Sequence, residues 1–177
     1  MNISYVQYKP AVLKTVGLLF VAIFIYGYLQ GDPLNPTLSQ NIFHTLNLVF
    51  HEAGHTLFMW GGNFIYIIGG SLFQILVPLV IALYFWGRNE IFETSIILMW
   101  VAANVYEVGV YMSDAKERVL PLLGDNPDSH DWYAIFSDLN ILHSATSIGS
   151  LVVDLAFVVL IFSAILGLYS VWAPFVE

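Results

Sequence analysis

Residues 43–86 read FHTLNLVFHEAGHTLFMW, then GGN, then FIYIIGGSLFQILVPLVIALYFW. The two apolar stretches, Phe43 to Trp60 and Phe64 to Trp86, come close to or pass the about 20 residues that a membrane-spanning helix needs. Only Gly61, Gly62 and Asn63 separate them, so tight a turn that the two must form an antiparallel helical pair. Three further stretches of the same character lie outward of this pair: Ala11 to Leu29, Ile91 to Met112 and Ile148 to Ala173. The pattern predicts an all-α integral membrane protein of about five transmembrane helices in a single domain, 1–177, with spans at 11–29, 43–60, 64–86, 91–112 and 148–173.

The connections support that division. Ala-x-Ala-like cleavage chemistry is missing before Gly31, which favours a spanning helix over a signal peptide for the first stretch. Gly31-Asp32-Pro33-Leu34-Asn35-Pro36 breaks helices and marks a short loop. One long polar loop, Ser113 to Ser147, carries a short surface helix expected from Trp132 to about Leu142.

Composition narrows the function. Of 177 residues, 58% are hydrophobic and 10% charged, with a mean hydropathy of +0.75, which is no ordinary water-soluble domain. A net charge of −8 leaves no cationic footprint for nucleic acid. With no cysteine there is no disulfide, thiolate site or cysteine nucleophile, and any metal must be held by His, Asp or Glu. In a five-span chain Lys9 and the long loop with Lys116 and Arg118 share one side and Arg88 lies on the other, a bias toward a cytoplasmic amino terminus and long loop.

The chemistry centres on His51-Glu52-Ala53-Gly54-His55, the HExxH pattern. Residues four apart share a helix face, so both imidazoles can reach one zinc ion while Glu52 stands beside it as general base. The bland alternative, helix packing by two histidines and a glutamate, meets the cost of ionisable groups in a bilayer, about 2.5–3.5 kcal/mol each on insertion scales. A catalytic zinc takes three protein ligands and keeps one position open. His130, Asp114, Glu107 and Asp154 all fall on the appropriate side and leave the third ligand open. Each also has a simpler reading, Glu107 above all, because Asn104, Glu107, Tyr111 and Asp114 recur at helical spacing as one polar stripe. Gly69-Gly70-Ser71 permits close approach to the preceding helix, and Gln74 falls level with His51, where it could support the site or hold a substrate peptide. His44 is too far along the helix to ligate the same ion.

The HExxH helix, the tight turn and the Gly-Gly-Ser-x-x-Gln segment resemble intramembrane zinc metalloproteases of the site-2 protease type. With Tyr111-x-x-Asp114-Ala115, Leu120-Pro121-Leu122-Leu123-Gly124 and His130-Asp131-Trp132, the chain is more closely similar to a group of small bacterial HExxH membrane proteins, over roughly residues 40–150. Site-2 proteases take their third ligand from an aspartate in a later helix. Here Asn126-Pro127-Asp128 runs into Ser129 within a polar loop, a departure that shifts the expectation to His130. Asp131 then orients His130 as its partner, with Asp114 and then Asp154 as fallback ligands.

The resemblance implies a zinc metallopeptidase in a bacterial inner membrane. Its substrate is a membrane-embedded or juxtamembrane peptide, and Glu52 serves as general base. The alternative is a non-catalytic accessory or assembly subunit of a larger membrane complex with a structural or vestigial metal site.

Overall fold

The computed structural model describes residues 5–29, 38–123 and 129–172. The expected loop at 31–36 and Asp128 lie outside the described residues. The α-helices among the described residues are α1 (Tyr5–Leu29), α2 (Leu38–Phe58), α3 (Asn63–Gly87), α4 (Ile91–Asp114), the short α5 (Asp131–Asp138) and α6 (Ala145–Trp172). Among the described residues, α3, α4 and the segment Leu142–Trp172 are long and apolar enough to cross a membrane. The apolar part of α1, Val12–Gly27, is shorter. α2 spends His44, Asn47, His51, Glu52 and His55 on polar positions.

Two turns set the hairpins. Between α2 and α3 the chain passes through Gly62 at φ +84°, in the left-handed region that favours glycine. Between α3 and α4, Asn89 takes φ +58°, which Asn tolerates better than most residues, and Arg88 Nε donates to Glu90 Oε1 at 2.8 Å. Small residues then draw the helices together. A Cβ on Gly54 would run into the backbone carbonyl of Gly69, and one on Gly109 would lie 2.8 Å from the backbone nitrogen of Val153. α4 is the central helix, touching α1, α3 and α6, and its run Val101–Val105 is buried.

α1 departs from the expected alternation. Lys14, early in α1, stands 5.4 Å over the ring of Phe92 at the start of α4, and Ile25, late in α1, joins Met99 and Ala103. α1 therefore runs in the same direction as α4, with its amino-terminal turns at the end of the bundle where α3 turns into α4. The sequence reading put Lys9 on the side of the long connection, but the helix that carries it begins at the opposite end. Lys9, Lys14 and Arg88 then stand at one end against Lys116 and Arg118 at the other, and the charge count no longer favours a cytoplasmic long loop. Strict alternation of spans had been assumed, and packing of Leu18 against Gly167 of α6 overrides it.

The long connection folds back over one mouth of the bundle. Trp132, Ile135 and Phe136 of α5 are buried in a cluster with Val108 and Met112 of α4 and Ala145 of α6. Trp132 Nε1 donates to Ser71 Oγ of α3 at 3.1 Å. Burying an indole this way fixes α5 against α3 and brings the residues at its amino end level with the HExxH motif.

Candidate metal centre

On α2, His51 and His55 sit one turn apart with their rings 4.8 Å apart, edge to face. Both are buried, and both press against Gly70 of α3, where a Cβ would come within 2.7 Å of His51 Nε2 and 2.6 Å of His55 Nε2. Their outer nitrogens are already engaged. His55 Nδ1 lies 2.8 Å from the backbone carbonyl of Tyr66, and His51 Nδ1 lies 3.1 Å from Gln74 Oε1. A carbonyl oxygen only accepts, so each ring places its neutral-form N–H on Nδ1 and turns the Nε2 lone pair inward.

The third group at this point is Asp131. Its Oδ2 stands 2.9 Å from His51 Nε2 and 3.2 Å from His55 Nε2, and the three side chains form a group that could hold a metal ion. Two lone pairs and a carboxylate facing one another have no hydrogen to share while both imidazoles are neutral. The cluster calls for positive charge at its centre, from protons or from a metal cation. Burial works to raise the Asp131 carboxyl, but the hydrogen bonds and charge of His51 and His55 outweigh it and hold it below the ordinary carboxylate range.

His130, expected as the third ligand, does not join the group. It occupies the N-cap of α5, where its Nδ1 accepts from the backbone N–H of Tyr133 at 3.2 Å. That duty turns the fully buried ring away from the imidazoles, against Tyr111 at 4.2 Å between centroids and toward Asp114, whose Oδ2 is 3.4 Å from His130 Nε2. Burial pushes the His130 imidazole below its usual range against the pull of Asp114. The sequence reading thus had the pair in the opposite order, with His130 on the metal and Asp131 behind it. Asp131 is also held from its own backbone, whose N–H donates to the Tyr111 hydroxyl at 3.0 Å.

The fallback ligands lie elsewhere. Asp114 accepts from the backbone N–H groups of Val119 and Leu120, at 3.0 and 3.1 Å, which ties down the start of the long connection. Asp154 is exposed on α6. Glu107 is set back from the ligand group, behind His51, in a polar cluster with His44, Asn47 and Gln74. Sequence reasoning missed Tyr66, which acts through its carbonyl and leaves no side-chain signal, and noted Tyr111 only in the polar stripe and the Tyr-x-x-Asp-Ala motif, with no role for its hydroxyl. It noted Ser71 only as a small residue.

The metal group opens on a cavity of about 590 Å³. Glu52 lines it beside His51 and His55, and Leu48, Val108 and Leu122 contribute apolar wall. Polar side chains, Gln74, Glu107, Tyr111 and Asp131 among them, converge on the rest of its wall, and its volume lies in the range of small-ligand pockets. No family model, curated protein or solved structure matches the chain.

Proposed function

We propose that this chain is an integral membrane zinc hydrolase, a peptidase of the site-2 protease type that cuts a peptide within or beside the bilayer of a bacterial inner membrane. The observation that carries this reading is the convergence of His51, His55 and Asp131 on one point of a cavity that Glu52 also lines. Two imidazoles and one carboxylate are a donor set suited to catalytic zinc, which keeps a fourth position for water. When bound, the ion supplies a lowered pKa for its water and positive charge for the scissile carbonyl.

The chain's own residues supply the rest. Glu52 takes the proton of the attacking water as the new C–O bond forms and returns it to the amine nitrogen as the C–N bond breaks. Asp131, brought in on α5, neutralises part of the charge at the centre. Leu48, Val108 and Leu122 would receive an apolar stretch of substrate. Amide cleavage in a lipid would use the same groups.

Glu52→Gln tests the reading, because it keeps the side chain's shape and leaves all three ligands while removing the base. Membranes expressing the variant should accumulate uncut substrate relative to wild type, with equal metal content. Identical membrane proteomes, with unchanged assembly of a co-purifying complex, would reject proteolysis in favour of an accessory subunit with a structural metal.

A further inference from the structure

Behind His51, a chain of hydrogen bonds runs through the bundle in one forced direction. It begins at Trp100, whose indole N–H can only donate, and does so to Asn47 Oδ1 at 3.0 Å. That fixes the Asn47 amide, so its nitrogen donates to Glu107 Oε2 at 2.8 Å, and Glu107 must accept. The same oxygen accepts from Gln74 Nε2 at 2.8 Å. With its nitrogen committed there, Gln74 can offer only its oxygen to His51 Nδ1, 3.1 Å away. The other carboxylate oxygen of Glu107 is engaged by His44 Nδ1 at 2.5 Å, so both oxygens have partners.

We propose that Glu107 is a positioning residue of the metal centre. By holding the Gln74 amide in one orientation it keeps the His51 proton on Nδ1 and the Nε2 lone pair on the metal position. The inference rests on the metal reading above and explains a carboxylate that the hydrolytic chemistry itself does not use. A ligating imidazole whose second nitrogen is held this way is oriented as well as deprotonated at the ligating atom. Loss of such a partner typically weakens metal binding by about 10–100-fold.

The test is zinc affinity of the full chain in detergent, by competition with a chelator. Glu107→Leu removes both acceptor oxygens, leaving the Gln74 amide free to flip and present N–H to His51. It should weaken zinc by about 10–100-fold. Gln74→Ala should weaken zinc to a similar extent, and the double variant no more than either single one, because the two act in series. Wild-type affinity in Glu107→Leu, or losses that add in the double variant, would overturn the proposal.

A second measurement needs no variant and decides the matter if Glu107→Leu does not fold. Nitrogen NMR of the metal-free chain with labelled histidine should show His51 protonated on Nδ1, whether or not Nε2 shares a proton with Asp131, and a bare Nδ1 would also overturn it. His51→Ala separates the two readings. If wild type binds zinc and His51→Ala does not, the metal centre stands whatever Glu107 does, whereas a wild-type chain that binds no zinc removes both.

Discussion

Asp131 Oδ2 stands 2.9 Å from His51 Nε2, while its neighbour His130 faces the other way, toward Asp114. The two residues therefore have separable roles. Asp131→Ala should abolish stoichiometric zinc while leaving helix content intact. His130→Ala should retain zinc but lose the α5 cap and a buried ring, a destabilisation of about 2–4 kcal/mol. His130→Asn, which can still cap, should recover part of it. Metal analysis and thermal unfolding of the three variants check the division, and loss of zinc in His130→Ala with retention in Asp131→Ala would reverse it.

The contrast also shows what was legible beforehand. The spacing of His51 and His55, the close approach signalled by Gly69 and Gly70, and the level of Gln74 all follow from helix geometry and could be read in the sequence. The return of the long connection was read as well, through the His-Asp-Trp signature. Which of two adjacent residues faces the imidazoles was not, because it turns on a cap. His130 is held by Tyr133, and only the backbone conformation at the start of α5 decides that. The direction of α1 was equally hidden, since hydropathy marks an apolar helix but not the partner it packs against.

Gly70 gives a sharper test of the centre's geometry. Alanine there would gain about 1 kcal/mol of helix propensity, yet its Cβ would fall 2.7 Å from His51 Nε2 and 2.6 Å from His55 Nε2. The clash is with the atoms that would hold the metal. Gly70→Ala should keep its fold and lose its metal. Gly54→Ala should instead lower the unfolding temperature, because its Cβ meets the backbone of Gly69 and the helices must part. Zinc content and unfolding midpoint, measured together, distinguish the two, and full zinc occupancy in Gly70→Ala would contradict the site as described.

Trp132 tests the seat of α5. Trp132→Phe removes the N–H that Ser71 accepts together with one ring of the indole, a loss of about 2 kcal/mol. Trp132→Ala empties the cluster shared with Met112 and Phe136, a loss of about 3–5 kcal/mol. Because Asp131 is carried by the same helix, the alanine variant should also weaken zinc binding whereas the phenylalanine variant should not. Parallel unfolding and chelator-competition curves check this, and equal zinc affinity in both variants would show that α5 is held without its tryptophan.

Metal removal should expose the same coupling from the other direction. His51 and His55 belong to α2 and Asp131 to α5, so an ion between them ties the long connection to the bundle. A ligand that binds only the folded state stabilises it by about 2.7 kcal/mol at a hundred times its dissociation constant. Zinc at that excess should raise the unfolding midpoint of wild type and leave that of His51→Ala unchanged. The effect should also be local. Without the ion, the imidazoles and Asp131 are held only by shared protons, so stripping zinc should speed amide hydrogen exchange across Asp131–Asp138 more than across the central helix Ile91–Asp114. Exchange in α5 that is indifferent to zinc would mean that Trp132 and its neighbours hold the helix alone, and that the ion, where it binds, does not depend on Asp131.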